Sequence, residues 1–168
     1  GNERVAAVGA LVGRTLHSPL PNLGPLAQMP QHRLQVEMPF TLRLGGEQAS
    51  SILDLLREYG YASALPGSQG GRVLRGLMQG YIDLVAEADG RYWVLDYKTN
   101  RLPSPADYAP KRLGEAVRAS NYDLQYLIYL TALHRYLRQR LPNYDPAQHL
   151  GGAQYLFLRG LTGDTDGY

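Results

Sequence analysis

The feature that most constrains the fold of this chain is a pair of apolar runs, GYIDLVAEA and RYWVLDYK, joined by Asp89-Gly90. Asp-Gly between apolar runs is a strong signal for a β-hairpin, because a type I′ turn needs positive φ at both of its central residues. With these two residues as the loop, counting back along both strands places Asp83 opposite Asp96. A four-residue loop keeps this pairing, whereas a three-residue loop with a bulge shifts it by one residue. We therefore expect two carboxylates to face each other on neighbouring strands.

Lys98 follows Asp96 by two residues, and alternation along a strand places both side chains on the same face. Facing residues of a hairpin lie about 4.5–5.5 Å apart at Cβ, and like charges there are destabilising unless a cation compensates them. Mg²⁺ suits this arrangement, because it binds a few carboxylate oxygens plus waters, activates a water and stabilises charge on a phosphodiester. A nearby lysine can orient or deprotonate the attacking water. The other interpretation is structural: Asp96 and Lys98 form a buried ion pair, and Asp83 caps a turn.

The composition of the chain sets the broad class of protein. Its 168 residues, 44% hydrophobic and 19% charged, suit one globular domain. No apolar run approaches the roughly 20 residues that span a bilayer, so we expect no membrane segment. The absence of Cys excludes a disulfide framework and a thiolate metal site and, with no apolar leader at the first residues, favours the cytoplasm. A net charge of +2 is too small to identify a nucleic-acid binder by itself.

Periodicity and turn residues predict further strands and helices around the hairpin. A Pro/Gly-rich connector follows the first helix, so we expect two parts: residues 1–32 as an N-terminal helix and connector, and residues 33–168 as a single globular core. The predicted helices cover residues 5–17, 48–59, 112–120 and 122–141, with a loop over 65–71 and strands over 33–44 and 151–160, the last of them central in the sheet.

Two of these elements carry patterns that predict which side chains they bury. The strand RLQVEMPFTLRL alternates apolar and polar residues, which is typical of a half-buried strand with one apolar face. The long helix has an apolar face and, beside it, a tyrosine-rich stripe that is more typical of a core than of a site. The strand face comprises Leu34, Val36, Met38, Phe40, Leu42 and Leu44; the helix face comprises Leu127, Leu130, Leu137 and Leu141; the stripe comprises Tyr122, Gln125, Tyr129, Ala132 and Tyr136.

Four segments in order, GYIDLV, YWVLDYKTN, YDLQYLIYLTALHRYLRQRLPNYD and GGAQYLFLRG, resemble the nuclease domain of the RecB family, within the PD-(D/E)XK nuclease superfamily. The resemblance covers about residues 34–160, and its Gly-x-x-Asp strand, Asp-Tyr-Lys strand and Gln-x-x-x-Tyr helix are specific in combination. It implies an α/β fold with a mixed central sheet flanked by helices. The site residues that it implies are Asp83, Asp96 and the backbone carbonyl of Tyr97 as Mg²⁺ ligands, Lys98 as the catalytic lysine, and Gln125 and Tyr129 as the helix motif near the DNA backbone.

The resemblance also implies a function, that of the Mg²⁺-dependent DNA nuclease domain of a helicase–nuclease. Such a protein works with RecC and RecD subunits on DNA ends, in double-strand break repair by homologous recombination. The chain holds no Gly-x-x-x-x-Gly-Lys-Ser/Thr phosphate loop, so ATP dependence would belong to a motor elsewhere. Two other interpretations stay open: a catalytically silent docking module, or an AddA-, AddB- or Cas4-like nuclease. AddB- and Cas4-like proteins hold an iron–sulfur cluster with cysteines, which this chain lacks.

One departure from the family concerns a further metal ligand, a histidine on a helix well upstream in a Gly-x-x-x-His context. Gly13 and His17 reproduce that spacing, but His17 lies only 20 residues before Glu37 and is followed by Ser18-Pro19, where a helix cannot easily continue. We therefore expect His17 to lie in the connector and the ligand to come from further upstream, which would leave this fragment weak in metal binding or inactive. Glu37 is a candidate to reach the site through a water.

Overall fold

A computed structural model describes residues 2–44, 76–120 and 122–161 of the chain. It contains strands β1 (Leu34–Leu44), β2 (Gly76–Ala88), β3 (Arg91–Lys98) and β4 (Leu150–Phe157), and helices α1 (Asn2–His17), α2 (Pro110–Ala119), α3 (Tyr122–Arg140) and α4 (Pro146–His149). The sheet has the order β1-β2-β3-β4, antiparallel except that β4 runs parallel to β3. The helices between β3 and β4 form the crossover that a parallel strand requires. This mixed sheet with helices confirms the predicted fold class.

The hairpin between β2 and β3 forms as the sequence predicts. Asp89 and Gly90 have φ angles of 51° and 76°, the left-handed conformation that a type I′ turn requires at both positions. Pairing starts at the turn and runs back to Leu84–Leu95, which confirms the predicted register. The two predicted acids differ from the expectation in one respect: they lie one step beyond the last ladder pair, where β2 and β3 no longer pair.

Alternation along β2 and β3 gives the sheet two buried faces. Val85 and Val94 pack with Leu133 and Leu137 of α3, on what we term the α3 face. The opposite face, termed the connector face, is covered by the segment after α1 and includes Leu20, Leu26, Leu84, Ala86, Leu95 and Leu156. Full burial of a Val or Leu side chain contributes about 1.5–3 kcal/mol, so both faces hold the hairpin in place.

β1 does not bury one face along its whole length, so the predicted alternation is wrong. Glu37 has a left-handed φ of 49°, and pairing with β2 continues on both sides of it. Leu34 packs on the connector face and Val36 is 64% exposed, whereas Met38 is buried on the α3 face. The reason is that a residue with positive φ interrupts the extended conformation on which the alternation of side chains depends.

α3 meets the sheet with three of the four residues of the predicted apolar face, together with residues outside that face. Ala132, Leu133 and Leu137 are buried against the sheet, whereas Leu127, which was expected in that face, is 39% exposed. Helical spacing defines which residues share a stripe. The position of the sheet decides which side chains are covered. Here it covers part of the predicted apolar face and part of the tyrosine-rich stripe.

The remaining predictions have mixed outcomes. In the described part of the chain β4 stands at the end of the strand order, so the expectation of a central strand is wrong. Its apolar run reflects burial on both faces, with Leu156 on the connector face and Phe157 packed against Leu113 of α2. The predicted helix over 48–59 and loop over 65–71 lie outside the described residues, and the division at residue 32 stays a prediction. No helix among the described residues has the length and hydropathy to cross a bilayer.

Candidate metal centre

The carboxylate of Asp83 replaces a ladder bond at the point where β2 and β3 stop pairing. Its Oδ2 accepts a hydrogen bond from the Tyr97 backbone N–H at 3.0 Å. Asp96 precedes Tyr97 and alternates with Leu95 of the connector face, so it points to the α3 face. Asp83 thereby ties the two strands together beside the second predicted acid.

Asp96 and Lys98 form a buried ion pair on the α3 face. The two residues are 4% and 8% exposed, and Lys98 Nζ lies 2.5 Å from Asp96 Oδ2. Oδ2 is a buried atom whose partner is this ammonium, and no other group of the described residues gives it a hydrogen bond. Burial raises the pKa of Asp96, the Lys98 ammonium opposes that shift, and the nearby charge of Asp83 adds to it. Asp96 is therefore a buried carboxylate with a second acid close by.

The predicted helix motif lies directly over this ion pair. Gln125 Oε1 accepts a hydrogen bond from Lys98 Nζ at 2.6 Å, and Gln125 Nε2 donates to Tyr129 Oη at 2.9 Å. The two motif residues are four apart on α3 and so share a face of the helix. Burial raises the pKa of Tyr129, and the charges of Asp96 and Asp83 raise it further. The structure thus brings the five predicted side chains into one group.

Two tyrosines outside the predicted site enclose the ammonium of Lys98, and we term them the tyrosine cage. Lys98 Nζ lies 3.9 Å from the ring centroid of Tyr122 and 4.9 Å from that of Tyr155. The Tyr122 hydroxyl donates to Asn100 Oδ1 at 3.0 Å, and the Tyr155 hydroxyl donates to the backbone carbonyl of Tyr122. An aromatic face attracts a cation by about 0.5–2 kcal/mol, most strongly where water is excluded. The cage therefore helps to fix the position of the ammonium.

The sequence carries a signal for one member of the cage. Tyr122 stands three residues before Gln125 in the tyrosine-rich stripe, so helical spacing alone places it beside the motif. Tyr155 lies beside the site because β4 pairs with β3 in parallel, in a register that sets Tyr155 against Asp96. A parallel register cannot be counted from a tight turn, so sequence reasoning missed this residue.

The donor set fits a divalent cation of the Mg²⁺ type. Asp83 and Asp96 supply two neighbouring carboxylates, and Asp96 Oδ2 is a buried oxygen whose partner among the described residues is the Lys98 ammonium. Mg²⁺ is commonly held by one or two carboxylates and keeps several waters, so it does not require a cage of protein ligands. No group of three or more His, Cys, Asp or Glu that could hold a metal ion occurs within the described residues. A cation here would rely on these two acids, on the predicted Tyr97 carbonyl, and on water or further ligands.

His17 and Glu37 are not part of this group. His17 is the last residue of α1 and is exposed. The connector after it packs on the connector face through Leu20 and Leu26, whereas Asp96 points to the α3 face. Glu37 is exposed at the left-handed position of β1. The expectation that His17 lies in the connector is therefore wrong, because α1 extends through it. That the histidine ligand comes from further upstream stays a prediction.

Comparisons with known proteins agree with this architecture. The family model described as the PD-(D/E)XK nuclease superfamily matches residues 6–167. The RecBCD enzyme subunit RecB of Escherichia coli (strain K12) is 42% identical over 149 residues, which are 87% of this chain and 13% of that protein. The same subunit of Mycolicibacterium smegmatis is 43% identical over 129 residues, 68% of this chain and 12% of the relative. That of Mycobacterium tuberculosis (strain CDC 1551 / Oshkosh) is 52% identical over 96 residues, which are 56% of this chain and 9% of the relative. The chain therefore spans only a small part of the length of these relatives.

Proposed function

We propose that this chain, which belongs to the PD-(D/E)XK nuclease superfamily, is the Mg²⁺-dependent DNA nuclease domain of a RecB-type helicase–nuclease. The observation that supports this best is the buried Oδ2 of Asp96, which has the Lys98 ammonium as its partner among the described residues and lies close to the charge of a second acid, Asp83. An ion pair with a purely structural role gains nothing from a second acid beside it, because like charges destabilise each other. A cation bound by both acids would relieve their repulsion.

In the proposed reaction the side chains of the centre have separate tasks. Asp83 and Asp96, with the carbonyl of Tyr97, would hold Mg²⁺, which would supply an acidified water and stabilise charge on phosphoryl oxygens. Lys98 orients the attacking water or offsets negative charge on the phosphate, because its ammonium lies beside Asp96. Gln125 holds that ammonium through a hydrogen bond of 2.6 Å.

The helix motif connects this centre to the DNA. Gln125 also donates to the Tyr129 hydroxyl, which fixes the phenol at the edge of the site. We assign both residues to contacts with the DNA backbone next to the cleaved phosphate. The tyrosine cage acts through Lys98 and so positions the lysine without touching the substrate.

The wider role is proposed from the relatives and covers more than this chain. The matched proteins are named as subunits of the RecBCD enzyme. We propose that the chain acts on DNA ends or unwound strands in an assembly with RecC and RecD subunits, during double-strand break repair by homologous recombination. ATP-driven unwinding would come from parts of a longer protein, because the chain has no phosphate-loop motif.

Cleavage of an end-labelled, linear single-stranded DNA in Mg²⁺ tests this proposal. We compare the wild-type chain with Asp96→Ala and with Asp107→Ala, a matched control because Asp107 also forms an ion pair, with Arg112 at the surface. Asp96→Ala should reduce the cleavage rate at least about 10²-fold, as loss of a group in the reaction centre commonly does, and Asp107→Ala should leave it unchanged. Equal cleavage by wild type and Asp96→Ala would contradict the proposal. A wild-type chain that neither cleaves nor responds to Mg²⁺ would favour the docking module.

A further inference from the structure

We propose that the cleft between β1 and α3 binds the phosphates of a single DNA strand next to the metal centre. This β1–α3 cleft has a volume of about 340 Å³ and lies at the β1 edge of the sheet. Its walls include Phe40 and Arg43 of β1, and Arg135, Tyr136 and Arg140 of α3. The inference rests on the proposed function and adds to it a binding site and a path for the strand.

The charged side chains that line the cleft in the described part of the chain are all positive. Arg43, Arg135 and Arg140 line it, and no Asp or Glu is among the described residues that do so. These three arginines have no ion pair with a carboxylate in the described part of the chain, in contrast to Arg33 and Arg112, which are each paired. An unpaired guanidinium presents a planar set of donors that matches two phosphate oxygens. The cleft is therefore electrostatically complementary to a polyanion.

The cleft adjoins the helix motif of the metal centre. The rings of Phe40 and Tyr129 pack edge to face with centroids 5.8 Å apart, so one wall of the cleft touches the helix motif. Tyr129 accepts a hydrogen bond from Gln125, and Gln125 in turn holds the ammonium of Lys98. A strand whose cleaved phosphate lies at Lys98 can therefore continue directly into the cleft.

The spacing and side chains of the cleft suit a single strand. At 1.5 Å per residue along the helix axis, Arg135 lies ~9 Å and Arg140 ~16 Å beyond Tyr129. Tyr136 is 36% exposed and stacks against the Arg140 guanidinium, 4.0 Å from the ring centroid. Basic groups that follow a backbone, together with aromatic rings on which unpaired bases stack, form the common platform for single-stranded nucleic acid. This combination favours an unpaired strand over an acidic protein segment.

Salt-dependent binding of a short fluorescent oligothymidylate in EDTA, where Mg²⁺-dependent cleavage is absent, tests the site. Arg135→Gln and Arg140→Gln are compared, singly and together, with Arg138→Gln. Arg138 is the matched control, because it is an exposed arginine on the same helix that does not line the cleft. Loss of one phosphate contact lowers the slope of log K against log salt by ~0.7 for a single strand. We expect a fall of about 0.7 for each cleft variant, about 1.4 for the double variant, and none for Arg138→Gln.

A further variant distinguishes a loss of DNA binding from a folding defect. Arg140→Gln removes the stacking on Tyr136 and can lower the melting temperature on that account. Arg43→Gln changes the opposite wall, lies on an exposed position of β1 and should lower the slope by about the same ~0.7. A slope for the double variant and for Arg43→Gln equal to that of Arg138→Gln would overturn the proposal. An equal loss of oligoglutamate binding in the cleft variants would also overturn it, because it would identify an acidic protein segment as the occupant.

Cleavage assays on the same preparations separate this inference from the proposed function. Cleavage by the wild-type chain together with equal slopes would leave the nuclease function standing and exclude the cleft as the strand path. Lower slopes in the cleft variants without any Mg²⁺-dependent cleavage would support the cleft as a single-strand site and contradict the nuclease function.

Discussion

The buried pair of Asp96 with Lys98 and the surface pair of Asp107 with Arg112 differ little in their distances, which are 2.5 and 2.8 Å. The pKa values of the two carboxylates nevertheless shift in opposite directions. Burial raises the pKa of Asp96 against the effect of its partner. A hydrogen bond from Arg112, followed by those from Ser104, lowers the pKa of Asp107, which keeps contact with water. The surroundings of the pair, more than the distance to the cation, decide the sign of the shift.

The two pairs also differ in how well the carboxylate is satisfied. Asp107 accepts hydrogen bonds from the Ser104 N–H at 2.9 Å and the Ser104 hydroxyl at 3.0 Å, in addition to that from Arg112. It caps the short turn Pro105–Tyr108 and has no need of a further partner. Asp96 Oδ2 is buried and, among the described residues, has the Lys98 ammonium as its partner and no hydrogen bond beyond it. A carboxylate in that condition, beside a second acid, is suited to bind a cation, whereas a saturated capping carboxylate is suited only to hold a turn.

The largest expected effect comes from removing the basic side chain of each ion pair in turn. Lys98→Ala should lower the single-turnover rate of DNA cleavage by about 10²–10⁴-fold, because it removes the group that we propose acts on the attacking water. Arg112→Ala should change that rate by less than about twofold, since exposed ion pairs contribute little. Comparable losses in the two variants would show that the distinction between the pairs is not functional.

The next effect concerns binding of a divalent cation, measured as a shift of the melting temperature with Mg²⁺. At a hundredfold excess over the dissociation constant, binding adds about 2.7 kcal/mol to the free energy of unfolding, or ~5–10 °C for a chain of this size. Asp83→Asn should abolish this shift, because the amide oxygen can still accept from the Tyr97 N–H but carries no charge. Asp107→Asn should retain it, and an undiminished shift in Asp83→Asn would argue against the two-acid site.

A smaller effect is expected from the tyrosine cage, which has no counterpart around Arg112. Tyr122→Leu should lower kcat by about tenfold with KM unchanged, because a desolvated cation–π contact is worth about 0.5–2 kcal/mol. Tyr122→Phe keeps the ring and should restore kcat, although it loses the hydrogen bond to Asn100. Equal kcat values for the Leu and Phe variants would mean that the ring does not position Lys98.

The smallest effect is a pH dependence of stability at the surface pair. The pKa of Asp107 is lowered from its ordinary value of 3.8, so its contribution to stability is present above about that pH and is lost as the pH falls through the lower folded value. Arg112→Gln removes the main cause of this shift. Its melting temperature should therefore lie slightly below that of wild type at pH 6 and approach it at pH 2–3. A difference that does not change over this range would exclude Asp107 as its source.

Local patterns predicted the parts of the fold that depend on near neighbours in the chain. Asp89-Gly90 specified both the turn and the register of the hairpin, because positive φ at two adjacent positions permits few other structures. The same counting placed the two acids opposite each other, although the ladder ends one pair before them. The four-residue spacing of Gln125 and Tyr129 placed both on one side of α3. The chemical roles of these residues remain proposals.

Other features depended on contacts between distant segments, and these were mispredicted or missed. The left-handed Glu37 lies in a strand whose sequence alternates without interruption, so the reversal of its faces has no local signal. Leu127 and Leu133 are both leucines of one helix, yet only Leu133 meets the sheet. Tyr155 reached Lys98 through a parallel pairing that follows a long helical crossover.

The sequence by itself determined the hairpin, the spacing of its acids and lysine, and the family to which the chain belongs, because turn chemistry and residue spacing act over a few positions. Only the tertiary structure decided that Asp96 is buried beside a second acid and that two aromatic rings enclose Lys98. It also decided that a cleft beside them is lined by arginines that have no carboxylate partner among the described residues. Burial, pKa shifts and the charge of a cleft are sums over atoms from several distant segments. They therefore exist only once those segments have packed together.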